Sequence, residues 1–305
     1  MSRGNLWNPP DVPSECGKFK WPKNFKGDRM YVRDQSVHYS ALLGTVLLLI
    51  LIGAAEATGY ATAFAAGTGL HDPDVDSLLE EASELITAMD EEAARSLFEE
   101  VLEIEPENHE ALWKLSLLYS KEGYRHDDRD VMETYYDEAI DLAERCLENF
   151  SESASCHYVY AVALGRSSEH KGPRTRIRTS REIKEHIEQA LDLEPDHPGA
   201  WHLLGVWHAS AANLSGGERF AANLLFGGAP EGASNEAAEL ALQQAIDLSP
   251  DRILFRLDLA RFYRDMGWCE DAAQELEVIL QMESQDQDDP RDKERAERML
   301  SRLSC

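Results

Sequence analysis

The sequence predicts an all-α helical solenoid of about five stacked helix pairs, with three insertions and a C-terminal cap helix. Three observations carry that reading. From about Asp74 onward, apolar residues recur at helical spacing, with hardly any strand-like alternation. Three prolines, Pro106, Pro195 and Pro250, each close an acidic-apolar helix, in "FEEVLEIEPEN", "IEQALDLEPDH" and "LQQAIDLSPDR". The residues upstream of them keep one register. Ala94, Phe98, Val101 and Pro106 align with Ile183, Ile187, Ala190 and Pro195, and again with Ala238, Leu242, Ala245 and Pro250.

Ahead of these repeats lie two segments of other character. Residues 1–29 hold several prolines and no helical period, and read as a non-structural extension. Ser40–Ala55, "SALLGTVLLLILIGAA", is an uncharged apolar run. It is shorter than the roughly 20 residues a membrane span needs and suits the apolar core of a signal peptide. Small-x-small cleavage candidates follow at Ala55-Glu56-Ala57 and Ala63-Phe64-Ala65. Residues 30–66 therefore read as a signal peptide that starts at Met30, or as an uncleaved anchor that meets the membrane through residues 40–66. Lys18, Lys20, Lys23, Lys26, Arg29 and Arg33 hold the N-terminus inside in either case. The helical domain, residues 71–305, is then exported (periplasmic or extracytoplasmic) or membrane-anchored with its C-terminal domain outside.

Each unit has its own signature. The first holds Leu78, Ala82, Ala94 and Phe98; the second Leu112, Leu115, Tyr119, Gly123 and Ala139. The third is degenerate, with His157, Tyr160, Ala161 and Leu164. The fourth is the fullest: Trp201, Leu204, Gly205 and His208, then Ala238, Ala245 and Pro250. The fifth has Leu259, Ala260, Tyr263, Gly267, Ala272 and Leu276. Small residues at the eighth and twentieth positions let paired helices approach closely, and large ones fill the gap. This pattern resembles the tetratricopeptide repeat, a helix–turn–helix unit of about 34 residues. Residues 290–303, charged on one side and apolar at Ala296, Met299, Leu300 and Leu303, read as a terminal cap. Measured against that repeat, insertions of about 11, 10 and 21 residues fall after Tyr119, after Leu164 and within Trp201–Pro250.

The last insertion holds "NLSGGERF", residues 213–220, which looks like the signature loop of transport ATPases. No phosphate loop accompanies it, since the Gly-Lys pair at Gly17-Lys18 is followed by Phe19. The string instead reads as an extension of the preceding helix and a turn at Gly216-Gly217. A short amphipathic helix would follow, with Phe220, Leu224, Leu225 and Phe226 on its apolar side. Leu214, Ser215, Glu218, Ala222, Leu225, Phe226, Gly227 and Pro230 carry a resemblance. Together with "REIKEHIEQALDLEPDHPGAWHLLGVWH" before them, they look like the regulator of microtubule dynamics family. The resemblance covers about residues 75–285; Gly216-Gly217 stand where the family has a bulkier pair. It implies a membrane-anchored or targeted tetratricopeptide domain that acts by binding, in a family whose animal members are associated with microtubules and organelle membranes. The acidity and the export signal give this member a bacterial look.

Composition narrows the function classes. The chain has 57 Asp+Glu against 30 Lys+Arg, a net charge of −27, which opposes general nucleic-acid binding. Five cysteines form no CxxC and no metal-ligand spacing, so neither a metal nor a cofactor is expected. Cys146 and Cys156 flank a helix turn and could face each other, as a disulfide or as two buried thiols. No HExxH and no G-x-S-x-G occur, and the carboxylates are dispersed, so no enzyme is expected.

Two candidate sites remain. Positions five and nine of the first helices should point into a concave groove: Trp113 and Leu117, Tyr158 and Val162, His202 and Val206, then Leu257 and Arg261. Such an apolar groove costs about 25 cal/mol per Å² to leave in water, so something should cover it. The occupant could be the insertion helix itself, an apolar peptide helix or an acyl chain. In addition, "RSSEHKGPRTRIRTSREIK" concentrates basic residues, among them Arg166, Arg174, Arg176 and Arg178. They could hold a phosphate headgroup or an acidic partner, or be neutralised by the domain's own carboxylates. Arg174, Arg176 and Arg178 share one side only if the segment is extended. The expected function is a non-catalytic scaffold or adaptor for a protein partner; the alternative is a carrier of lipid or another apolar small molecule.

Overall fold

The computed structural model describes residues 74–169, 171–214, 216, 219, 222 and 232–303. The extension 1–29 and the apolar run Ser40–Ala55 lie outside these residues. The described residues form eleven helices and no strand. The pairs are α1 (Val75–Thr87) with α2 (Glu91–Ile104), α3 (His109–Arg125) with α4 (Arg129–Asn149), and α5 (Ala154–Ser168) with α6 (Pro173–Leu193). Next come α7 (Pro198–Ala212) with α8 (Asn235–Leu248), α9 (Ile253–Asp265) with α10 (Cys269–Gln281), and the last helix α11 (Asp289–Arg302).

Local chemistry explains the boundaries. Helices α2, α6 and α8 stop two residues before Pro106, Pro195 and Pro250, because the residue ahead of a proline avoids helical torsions. The next helices start on side-chain caps. Asn108 accepts from the Ala111 N–H at 3.1 Å, Ser153 from Cys156 at 3.3 Å, and His197 Nδ1 from Ala200 at 3.1 Å. The turns after α1 and α9 are the same device. Met89 (φ 62°) and Gly267 (φ 76°) are left-handed, and the next N–H donates back to Leu85 and to Tyr263, each at 2.8 Å.

Packing within the pairs follows the small-residue positions. Ala82, Ser116, Ala161 and Ala260 are fully buried at the eighth position; Ala94, Ala139, Ala238 and Ala272 are fully buried at the twentieth. At Gly205 the fit is tight against both side chain and backbone. A Cβ there would lie 2.6 Å from Leu242 Cγ and 3.0 Å from the Leu242 backbone nitrogen. Phe98, Leu112, Ile187, Leu242 and Leu276 fill the interior. Cys146 and Cys156, both fully buried, are joined as a disulfide that ties α4 to α5.

Two of the insertions are built as extra helix. Against 13 and 14 residues in α1 and α2, α3 runs 17, and α4 and α6 run 21 each. The third is the connection between α7 and α8. Helix α7 stops at Ala212, with Asn213 as its C-cap, so residues 213 and 214 do not extend it as expected. Ala222 is fully buried. Phe220, Leu224, Leu225 and Phe226, the apolar side expected there, lie outside the described residues.

Candidate functional site

A cavity of about 830 Å³ lies on the concave side of the solenoid. Trp113, Leu117, Tyr158, Val162, His202 and Val206, the six residues expected there from units two to four, all line it. Repeat geometry puts the fifth and ninth residues of each first helix on that surface, which explains the agreement. The N-terminal extension of α6 adds Arg176, Ile177 and Ser180 as a further wall.

The fifth unit departs from the expectation. Leu257 is fully buried among Ile253, Leu276, Ile279 and Ala296, and Arg261 lines a separate cleft. The reason is α11, whose Ala296 is fully buried against α9 while Met299 and Leu300 pack on the same cluster. The basic segment also differs from an extended strip. Arg174, Arg176 and Arg178 are exposed on helix α6, where a spacing of two turns a side chain about 200° around the axis. Arg176 and Arg166 line the cavity, whereas Arg174 and Arg178 do not. Arg166 pairs with Glu169 at 3.2 Å and lies 4.0 Å from the Tyr124 ring centroid.

The polar groups of the cavity are held by neighbours. His202 Nε2 lies 2.9 Å from Asp258 Oδ2, and its ring stacks on Phe255 at 4.5 Å. Burial works to raise the Asp258 carboxyl, but the His202 hydrogen bond, the His202 charge and the Arg261 guanidinium outweigh it and hold it at about 2. Burial pushes the Tyr158 phenol above its ordinary value. The Trp207 indole N–H donates to Ser180 O at 2.8 Å, which fixes α7 against the α6 wall.

What the sequence did not reveal is that the solenoid closes on itself. Residues 282–288, between α10 and α11, cross to the second unit. Lys121 donates to Asp286 at 2.8 Å, and Arg125 binds Asp288 through two 2.9 Å bonds, over sequence separations of 165 and 163. Glu91, 6% exposed at its side chain, pairs with both Lys121 and Arg125, and its backbone N–H donates to Gln287 Oε1 at 3.0 Å. Arg252 reaches Asp286 at 3.1 Å. Glu91, Lys121, Asp286 and Asp288 also line the cavity, so this seam forms part of its wall. Arg125 and its neighbour Tyr124 sit in the extension of α3, which makes the first insertion one half of the seam.

The model of the family described as "Regulator of microtubule dynamics protein 1-3" matches residues 78–304, nearly the whole helical domain. The chain belongs to that family. Regulator of microtubule dynamics protein 3 of Xenopus laevis is 32% identical over 195 residues, 64% of this chain and 42% of the relative. The Bos taurus protein 3 is 29% identical over 221 residues, 71% of this chain and 46% of the relative. The alignments thus span less than half of either relative's length. Among solved structures, a thermophilic tetratricopeptide-repeat protein of Thermus thermophilus superimposes with a TM-score of 0.53. It is 20% identical, over 73% of this chain and 98% of the other, a likeness of fold.

Proposed function

We propose that this member of the family is a non-catalytic scaffold, which holds an apolar segment of a protein partner in its concave cavity. The tetratricopeptide fold and the family support a protein-interaction scaffold. The observation that carries the finer reading is the convergence of Trp113, Leu117, Tyr158, Val162 and Val206 on one 830 Å³ cavity. Aromatic anchors in a concave, desolvated surface are where binding energy concentrates. The partner stays outside if its segment is too wide for a cavity walled by the seam.

A second reading, a carrier of lipid or another apolar small molecule, is favoured by that wall. The volume lies within the range of about 300–1,000 Å³ typical of small-molecule sites. Native mass spectrometry of the full chain, purified without detergent from membrane-rich cells, separates the two. Added mass that leaves on organic extraction makes the carrier reading the stronger one. A clean apo mass, with a protein retained after mild crosslinking and lost in Trp113→Ala/Tyr158→Ala, supports the scaffold. Loading or capture that ignores both substitutions contradicts the cavity as the site.

We further propose that the domain works in an oxidising, extracytoplasmic compartment, delivered or anchored by residues 30–66. The Cys146–Cys156 disulfide supports this, since such bonds persist outside the reducing cytosol. Free-thiol labelling of the denatured chain taken directly from cells checks it. Two thiols reacting at Cys146 and Cys156 would contradict it.

A further inference from the structure

A second cleft, of about 610 Å³, opens between α9, the turn at Gly267 and α11. Five arginines line it: Arg261 and Arg264 from α9, and Arg295, Arg298 and Arg302 from α11. No carboxylate is among the described residues that line it. In a chain of net charge −27, this is a local concentration of guanidinium groups.

Helix ends account for only part of it. Arg264 and Arg302 sit in last turns, where a cation offsets the negative end of the helix dipole. Arg261, Arg295 and Arg298 lie further from those ends. Each spends one nitrogen on a carboxylate of its own helix: Asp258, Asp292 at 2.9 Å, and Glu294 at 3.4 Å. A guanidinium has five N–H donors, so each keeps donors for a ligand. Arg264 binds its neighbour Asp265 at 2.7 Å, Arg302 makes no ion pair with the described residues, and Arg264 and Arg298 are about half exposed at their side chains. Arg295 lies 5.0 Å from the Tyr124 ring centroid, which restrains its side chain beforehand.

We propose that this cleft binds a soluble anion carrying two or more phosphoryl groups, of the diphosphate class. Four of the five already have a carboxylate partner, so what the cleft offers an anion is the unspent N–H donors of five guanidinium groups gathered around one concavity. Tetrahedral phosphoryl groups accept donors from several directions, which suits guanidinium forks converging from two helices. A soluble anion is favoured over a phospholipid headgroup by the charge of the rest of the domain. An anionic membrane surface would face the net-negative body as a whole, whereas a small ion inside the cleft feels mainly charges within a Debye length of about 8 Å.

The test is isothermal titration of the full chain with inorganic pyrophosphate at low salt. Saturable binding is expected, weakened at least about tenfold, or about 1.4 kcal/mol, in Arg298→Ala/Arg302→Ala and partly restored in Arg298→Lys/Arg302→Lys. Both residues are exposed, so circular dichroism should report an unchanged fold. Independently of any variant, pyrophosphate should raise the Tm of the unaltered chain where potassium chloride of equal ionic strength does not. Absent binding, binding untouched by the alanine pair, or a Tm that follows ionic strength alone would overturn the proposal. So would binding confined to phosphatidylglycerol vesicles, which would move the phosphate onto a lipid. The cleft shares no arginine with the cavity, so this result and the cavity's occupant can fail separately.

Discussion

Between α7 and α8 the decisive contact is a glycine against a leucine, 37 residues apart in the sequence. Between α3 and the segment before α11 it is Lys121 and Arg125 against Asp286 and Asp288, more than 160 residues apart. The first contact works by shape and allows no wider side chain. The second works by charge, in a partly desolvated site where Lys121 and Arg125 share the same carboxylates. The repeat core makes each helix pair, and the charged seam makes a closed body of the pairs. The comparison teaches that stacking alone would leave the concave face an open groove, and that the extra helix in unit two turns it into a cavity.

The comparison breaks most sharply at Arg125. Replacing Arg125 by Ala leaves Asp288 and the buried Glu91 short of a partner. The expected loss is about 3 kcal/mol in urea unfolding, because the charged hydrogen bonds of Arg125 go while Lys121 still pairs with Glu91. A loss below about 1 kcal/mol would place these pairs among ordinary solvated ones. On the core side, Gly205→Val should cost up to about 3 kcal/mol by thermal unfolding, since the neighbouring Leu242 backbone cannot yield as a side-chain tip can. Arg125→Ala should loosen the C-terminal segment alone, and Gly205→Val should loosen α7 and α8; hydrogen exchange distinguishes the two patterns.

Acid tests the charged side by another route. Burial opposes ionisation of Asp286, but Lys121 and Arg252 outweigh it and hold its carboxyl below the ordinary value. A carboxylate lowered in the folded state stabilises above its unfolded value and loses that contribution as pH falls through the folded one. Asp258, at about 2, therefore contributes about 2 kcal/mol at neutral pH that disappears between about pH 5 and pH 2. Stability measured across that window should fall, and the seam and the His202–Asp258 pair should go with it. The smallest effect lies in the first turn. Met89 occupies the left-handed position that Gly267 takes in the fifth unit. Met89→Gly should therefore stabilise by about 1 kcal/mol, read as a raised Tm.

How much of this was legible follows from the same contrast. The prolines, the alanines at the twentieth position and the glycine at 205 act within one unit, so their spacing states their role directly. The six cavity residues were legible for that reason too, because register alone places a fifth or ninth residue on the concave side. Leu257 and Arg261 obey the same register but lie under α11, and a helix that folds onto the concave face looks in sequence like one that merely closes the stack. Arg174, Arg176 and Arg178 sit in an insertion, where repeat spacing gives no register to count from. Nothing in the sequence singles out Glu91, Lys121, Arg125, Asp286 or Asp288, since composition does not reveal a partner that far along the chain. The available hint was the first insertion, which brings Tyr124 and Arg125 into a unit that packs without them.

The most direct measurement is a double-mutant cycle in urea on Arg125→Ala and Asp288→Ala. Closure predicts a coupling of at least about 1.5 kcal/mol, as close ion pairs in desolvated contacts give. Additive effects within about 0.5 kcal/mol would contradict it and return the concave face to an open groove.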